Sequence, residues 1–249
     1  AELVMPPELV KPYFQGDEFD GEMNYNFAFT AAEFMFNPAP QRIKASEFDA
    51  RLAEMRALYP KGVAYVTQNL FGSHDSNRIG SHIVNRGIGN FRDWGAYFQL
   101  SQVSQNPAYQ VRKPNAEELR LQKLFVIFQM TYVGAPMVYY GDEVGMWGAN
   151  DPDDRKPMIW DDIRYEDEVT NPDGSLRPAD KVAVNRQLQQ HYRLLIQLRQ
   201  QLPALRLGDY QTLLVDDQRE LYEREFMLLD ELQRHAVGKR PALKSREFE

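Results

Sequence analysis

The chain has 249 residues, 29 basic against 36 acidic, a net charge of −7 and no cysteine. With 43% hydrophobic and 12% aromatic residues it can build a sizeable core, which excludes global disorder. The acidic balance argues against nucleic acid or an anionic membrane as partner and suits a neutral substrate, and the missing thiols exclude disulfides and thiol chemistry.

In chain order, residues 1–18 read as a strand stub and a Pro-rich loop (Pro6, Pro7, Pro12). Phe19 to Phe27, "FDGEMNYNF", reads as a short strand ending in polar and aromatic groups. Phe27 to Phe36 and Ser46 to Leu58 carry helical apolar spacing, with Ser46 and Asp49 resembling a capping box with a shorter acid. Gly62 to Thr67 is a β-branched strand candidate, and "GSHDSNR" is the loop at its end. Residues 79–115 look loop-like, with Gly80, Gly87, Gly89, Gly95, Pro107 and Pro114. A strong helix follows: Asn115 as N-cap, acids in the first turn, Gly134 at the stop. "APMVYYGDE" is a short buried strand, residues 145–180 a Pro/Asp-rich loop, and "DKVAVNRQLQQHYRLLIQLRQQL" another amphipathic helix. After Gly208, "DYQTLLVDD" has β character. The apolar stretch Leu124 to Tyr140 is interrupted by Gln129, Gly134 and Pro136 and does not suit a bilayer span. The chain begins at Ala1 without an initiator methionine or a signal-like segment, which reads as a processed or cut chain.

The alternation of strands and helices predicts parallel strands with crossover helices. Polar clusters follow three successive strands: Asn24-Tyr25, His74-Asp75 and Asp142-Glu143. In a (β/α)8 barrel the C-terminal ends of the strands carry the active site. Three strand–helix units are too few for closure, which takes about 250 residues for eight. Either the sheet is open or the chain is part of a barrel.

Each polar group has a bland reading. His74-Asp75 could be an N-cap aspartate with a histidine packed beside it. Asp151 and Arg155 could form a surface ion pair in an Asp-rich turn, or a calcium loop, although "DPDDR" lacks EF-hand spacing and its terminal Glu. Asn24 and Tyr25 suit strand-end packing, and Asp142 and Glu143 suit rim hydrogen bonding. Trp147 and Trp160 could stack on a ligand face, but core packing is the better fit. His82, His191 and His235 read as solvent-facing or structural, and no His/Cys/Asp cluster makes a metal site.

Five ordered blocks resemble the α-amylase superfamily of glycoside hydrolases, in particular its cyclomaltodextrinase, neopullulanase and maltogenic amylase branch. "GDEFDGEMNY" resembles the sixth-strand region, "NLFGSHDSNRI" the seventh-strand motif with its His-Asp pair, and "GAPMVYYGDEVGM" the eighth strand. "DPDDRKPMIWDD" resembles the loop that follows, and "YRLLIQLRQQLPALRLGDY" the last barrel helix running into domain C. The resemblance implies an α/β fold: the C-terminal half of a (β/α)8 TIM barrel followed by the start of a β domain C. Residues 1–205 would run from the end of strand five to helix eight, and 206–249 would begin domain C with an atypical charged tail.

The implied activity is retaining hydrolysis of α-1,4 bonds in maltodextrins or cyclodextrins, with some transglycosylation. The implied partner is an α-glucan oligosaccharide, with no cofactor, metal, nucleic acid or membrane; a homo-oligomer, and either a bacterial cytoplasmic or a periplasmic/secreted location, are left open. Catalytic roles carry over to Glu2 as general acid and to Asp75 as the third acid, which orients sugar hydroxyls and favours the distorted ring. The substrate-binding roles fall on His74, which donates to sugar hydroxyls, on Asp151 and Arg155 as a clamp on the non-reducing glucose, and on Asn24 and Tyr25. The chain departs from the family in three ways. The nucleophile aspartate follows the fourth strand, upstream of Ala1, so the fragment alone should be inactive. Val4 stands where an aromatic is expected after the acid. The tail from residue 218 is charged, with helical spacing of Leu221, Phe226, Leu229 and Leu232, which the resemblance does not explain. The other class compatible with these motifs is a non-catalytic amylase-like barrel, such as an ancillary subunit of a membrane transporter.

Overall fold

The computed structural model describes residues 1–218. In chain order these form α1 (Pro7–Val10), α2 (Tyr25–Ala31) running on into a π-helical turn (Ala32–Phe36), α3 (Ala45–Leu58) and α4 (Lys61–Val66). Then come β1 (Gln68–Asn69), α5 (Ile79–Val84), α6 (Trp94–Ser101), α7 (Ala116–Thr131) and β2 (Ala135–Pro136). A hairpin, β3 (Glu168–Thr170) and β4 (Leu176–Asp180), precedes α8 (Arg186–Gln201) and α9 (Ala204–Leu207). The result is a mixed α/β fold dominated by helices.

The sheet that organises it is a parallel ladder only one or two residues deep. Glu2 bridges Met23, Met23 bridges Gln68, and β1 pairs with β2 in the register Gln68↔Ala135 and Asn69↔Pro136. The bonds are well formed: Met23 N donates to the Ala1 carbonyl at 2.8 Å, Gln68 N to Glu22 at 2.7 Å, and Ala135 N to Thr67 at 2.9 Å. The four rungs follow chain order, with helices carrying the chain from each to the next, as parallel connection requires.

Where side chains cap a helix, the expected elements form. Asn115 Oδ1 accepts from Glu118 N at 3.0 Å, and Glu118 Oε2 accepts from Asn115 N at 2.7 Å, a complete capping box for α7. Asn185 Oδ1 caps α8 through Leu188 N at 3.0 Å. These two helices pack on each other, and α7 also packs on the π-helical turn that extends α2, burying Leu188, Tyr192, Phe125 and Phe128. Phe27 stacks on Phe128 with centroids 5.1 Å apart. Each such ring contributes about 1.5–3 kcal/mol by leaving water.

Several expectations need correction. Gly62–Thr67 is not a strand. Pro60 starts a helix there, and Thr67 Oγ1 donates back to the Val63 carbonyl at 2.8 Å, so only Gln68 and Asn69 pair as a strand. Val63 packs instead on the small cluster of Val10, Phe14 and Tyr59. Phe19–Phe27 contributes one rung, Met23, before α2 begins. The strand expected over "APMVYYGDE" is likewise only Ala135–Pro136. Residues 79–115 hold α5 and α6 rather than loop alone, and the 145–180 loop contains the β3–β4 hairpin. Ser46 is inside α3, with N and Oγ both donating to Asp217 at 2.8 Å, so the capping box with Asp49 does not form. No strand forms over 209–217; that segment lies along α3, and Tyr210 packs edge-on against Tyr132. The helical spacing from Leu221 to Leu232 and His235 lie outside the described residues.

Candidate active site

Because all rungs of the ladder run parallel, the residues that follow them share one rim. Glu2 is itself a rung at the edge of the ladder; Asn24 and Tyr25 follow Met23, His74 and Asp75 follow β1, and Asp142 follows β2. On this rim the Glu2, His74 and Asp75 side chains converge, with their ligand-capable atoms all within 4.8 Å of one another. Two carboxylates and an imidazole in that space could hold a metal ion. Arg155, however, already brings a positive charge to the set, its Nη2 donating to Asp75 Oδ1 at 3.2 Å. A second cation would have to displace it.

The loop that presents His74 and Asp75 is held from below. Ser73, fully buried, accepts from Asp75 N on its Oγ at 3.0 Å, and its own N donates to Ser76 Oγ at 3.0 Å. Asn77 Nδ2 donates to the hydroxyls of Tyr97 (3.1 Å) and Tyr109 (2.8 Å). Tyr97 in turn meets His82 Nδ1 at 2.8 Å. His82 is packed among Phe71, Phe91 and Phe36, and burial pulls its pKa down to about 3. It is structural and not solvent-facing. His191 is also buried, against the Lys123 carbonyl, and its pKa is pulled down to about 4 by the same cause. Asp75 is not a helix cap: α5 starts at Ile79, with Arg78 in the N-cap position.

Arg155 joins the 150–155 loop to the rim. Its Nε donates to the His74 carbonyl at 3.0 Å and also lies 2.9 Å from Asp151 Oδ1. The Asp151 backbone is anchored by Gln102 Nε2 at 2.8 Å and by the Asn150 side chain at 2.8 Å. Asp151 and Arg155 are thus paired with each other, and Arg155 also touches Asp75.

Asn24 and Tyr25 are turned inward. Asn24 Oδ1 caps α2 through Phe27 N at 3.0 Å, and its Nδ2 donates to Asn69 Oδ1 at 3.1 Å. Tyr25 is 1% exposed. Both spend their polar atoms on protein partners, Asn24 on Phe27 N and Asn69, and Tyr25 on Glu2 and Ser73, so neither has a free polar atom for the substrate contact their motif implies. Asp142 pairs with Arg78 Nη1 at 3.1 Å; burial pushes its carboxyl up and Arg78 offsets only part of that. Burial likewise pushes the Asp154 carboxyl up to about 7. Glu143 accepts from Gly141 N at 2.8 Å. Trp147 is buried with Nε1 on Glu168 at 3.0 Å, whereas Trp160 is 56% exposed and not in the core. A cavity of about 270 Å³ lined by Met146, Trp147, Ile159, Tyr165 and Val182 includes none of Glu2, His74 or Asp75.

Sequence reasoning missed Ser73, Gln102 and Asn150, which hold the functional groups without carrying a chemical signature. The serine next to His74 was visible in "GSHDS", but its burial was not.

A parallel ladder joined by helices, with carboxylates and a histidine on the rim where its rungs end, places this chain in the α/β class with its candidate site at the C-terminal ends of the strands. The chain belongs to the alpha-amylase family: the model of the alpha amylase catalytic domain matches residues 2–208. It is 34% identical over 207 residues to a cyclomaltodextrinase from Geobacillus thermopakistaniensis, covering 83% of this chain and 26% of that protein. It is 34% identical over 210 residues to neopullulanase 2 from Thermoactinomyces vulgaris, covering 84% and 27%. Among solved structures, the cyclic α-maltosyl-(1→6)-maltose hydrolase from Arthrobacter globiformis in complex with maltose superposes with a TM-score of 0.56 at 28% identity, covering 87% and 36%. The chain thus spans about a quarter of the length of these two curated relatives. Among the described residues no helix is long and apolar enough to cross a membrane.

Proposed function

We propose that this chain is the C-terminal half of the catalytic barrel of a retaining α-glucan hydrolase acting on α-1,4 bonds of maltodextrins or cyclodextrins, with some transglycosylation. Residues 1–205 supply strands five to eight of the barrel, and 206–249 begin domain C. The observation that carries this reading is the convergence of Glu2, His74 and Asp75 on one rim, with Arg155 beside them. The family membership and the names of the relatives support the substrate class.

In this reading Glu2 protonates the glycosidic oxygen as the C1–O bond breaks, while a carboxylate from the preceding half of the barrel attacks C1. Glu2 then takes a proton from the water that hydrolyses the glycosyl-enzyme. Asp75 faces the sugar ring and is worth most when positive charge develops on it, so it stabilises the transition state more than the ground state. His74 donates to a ring hydroxyl. Arg155 and Asp151 exchange their mutual ion pair for paired hydroxyls of the terminal glucose.

The test is reducing-sugar release from maltodextrin. The isolated 249-residue chain should release none, because it lacks the family's nucleophile. The polypeptide that adds the preceding barrel half should be active and lose activity on Glu2→Gln. Hydrolysis by the isolated chain, abolished by Asp75→Asn, would overturn the division of the site between two halves.

A further inference from the structure

We propose that Tyr25 is a positioning residue for the Glu2 carboxyl, at the head of a one-way hydrogen-bond chain that also holds the Asp75 backbone. This rests on the reading of Glu2 as acid and base. Tyr25 Oη lies 2.8 Å from Glu2 Oε1 and 2.9 Å from Ser73 Oγ, and Ser73 Oγ accepts from Asp75 N at 3.0 Å.

Counting hydrogens fixes the direction. A carboxylate oxygen can only accept, so the single hydroxyl hydrogen of Tyr25 goes to Glu2. Ser73 must then give its single hydrogen to Tyr25, and its lone pair takes the Asp75 N–H. The chain runs Asp75 N–H to Ser73, Ser73 to Tyr25, Tyr25 to Glu2. Each link polarises the next, and the last is charge-assisted. Burial and the nearby Glu2 and Asp75 charges push the phenol pKa far above its ordinary value, so it stays a donor.

The ring is fixed independently. It meets Trp94 edge-on with centroids 5.0 Å apart and packs on Phe29 at 6.3 Å. Glu2 itself is exposed at the edge of the ladder. A flexible, exposed carboxyl is thereby tied to a rigid, buried hydroxyl. With Oε1 occupied by Tyr25, Oε2 is left to carry the proton to the glycosidic oxygen. The same chain sets the spacing between the acid and Asp75, two groups that sit far apart in sequence.

The experiment compares two substrates in the full-length enzyme. Maltodextrin needs a proton on its leaving oxygen; α-maltosyl fluoride expels fluoride without one. Tyr25→Phe, which keeps the ring, should lower kcat/KM on maltodextrin by about 10- to 100-fold, below the full range of general acid catalysis. On α-maltosyl fluoride the loss should stay within about 3-fold. Ser73→Ala, one link back, should show the same contrast more weakly, and thermal melting checks that both variants fold. Glu2→Gln is run in parallel. If it shows no contrast between the substrates, the assignment of Glu2 fails, whatever Tyr25 does. If Glu2→Gln shows the contrast and Tyr25→Phe loses activity equally on both substrates, or on neither, Tyr25 is only a packing residue and the proposal is overturned.

Discussion

The rim and the 150–155 loop both present charged groups to the same space, but they are held differently. On the rim, the Glu2 carboxylate is tied to Tyr25 Oη and the Asp75 backbone N–H to Ser73 Oγ, and Tyr25 and Ser73 are 1% and 0% exposed. In the loop, Arg155 and Asp151 have side chains 46% and 41% exposed and are held chiefly by each other and by Asp75. Ion pairs at that exposure are worth little, about 0–1 kcal/mol, and exchange readily for other partners. Hydrogen bonds to a buried partner exchange less readily, because leaving that partner unbonded costs its desolvation. In the proposed reaction the rim would keep its geometry while charge develops on the substrate, and the loop would give up its contacts to the sugar. Groups of the first kind should show in kcat, and groups of the second kind in KM.

The largest effect expected from this contrast is at Asp75. In the full-length enzyme Asp75→Asn should lower kcat by about 100-fold or more, the scale of one lost transition-state contact. Near-normal kcat would remove Asp75 from the rim's chemistry. Arg155→Ala should act on the other side of the comparison, raising KM several-fold with kcat changed by no more than about 2- to 3-fold. A fall in kcat matching that of Asp75→Asn would mean that Arg155 serves mainly to orient Asp75 and that the two regions are one.

A third effect, on stability instead of turnover, concerns the footing of the ladder. Glu22, next to the Met23 rung, is 2% exposed and accepts from Tyr59 Oη at 2.7 Å, and burial pushes its carboxyl up to about 7. The folded chain therefore binds this proton more tightly than the unfolded one. The resulting stability is fully present below pH 4.5 and is lost as pH rises toward 7. Glu22→Gln should be close to neutral at pH 4.5 and stabilising by about 1–3 kcal/mol at pH 8. Denaturant midpoints at the two pH values check it; a pH-independent difference would mean that the Glu22 carboxyl binds its proton equally in the folded and unfolded chain.

The two longest terminal helices of the α/β part were legible because local chemistry decides them: Asn115 and Asn185 cap, and the apolar positions repeat. The strands were not, because they are so short that two backbone rungs suffice, and β-branched Val63, Val66 and Thr67 could serve a helix as well. The glycines of 79–115 misled for a physical reason. Gly80 sits inside α5 because a Cβ there would come within 2.9 Å of Pro114, so it marks close packing, not a loop. The 145–180 hairpin had a usable signal in "NPDGS", whose Gly174 turns at φ +81°. In the site, His74, Asp75, Asp151 and Arg155 stood out by type and order. The Tyr25–Ser73 contact did not, because its residues are 48 apart and only the fold brings them together.

The most direct test of the central claim, that Glu2 is the acid and base of a retaining α-glycosidase, is azide rescue of Glu2→Ala in the full-length enzyme with α-maltosyl fluoride as donor. Fluoride leaves unaided, the glycosyl-enzyme accumulates, and azide needs no base to attack it. The account predicts that azide restores turnover and yields the α-maltosyl azide, the product of two inversions. No rescue, or a β-azide formed by single displacement, would contradict it.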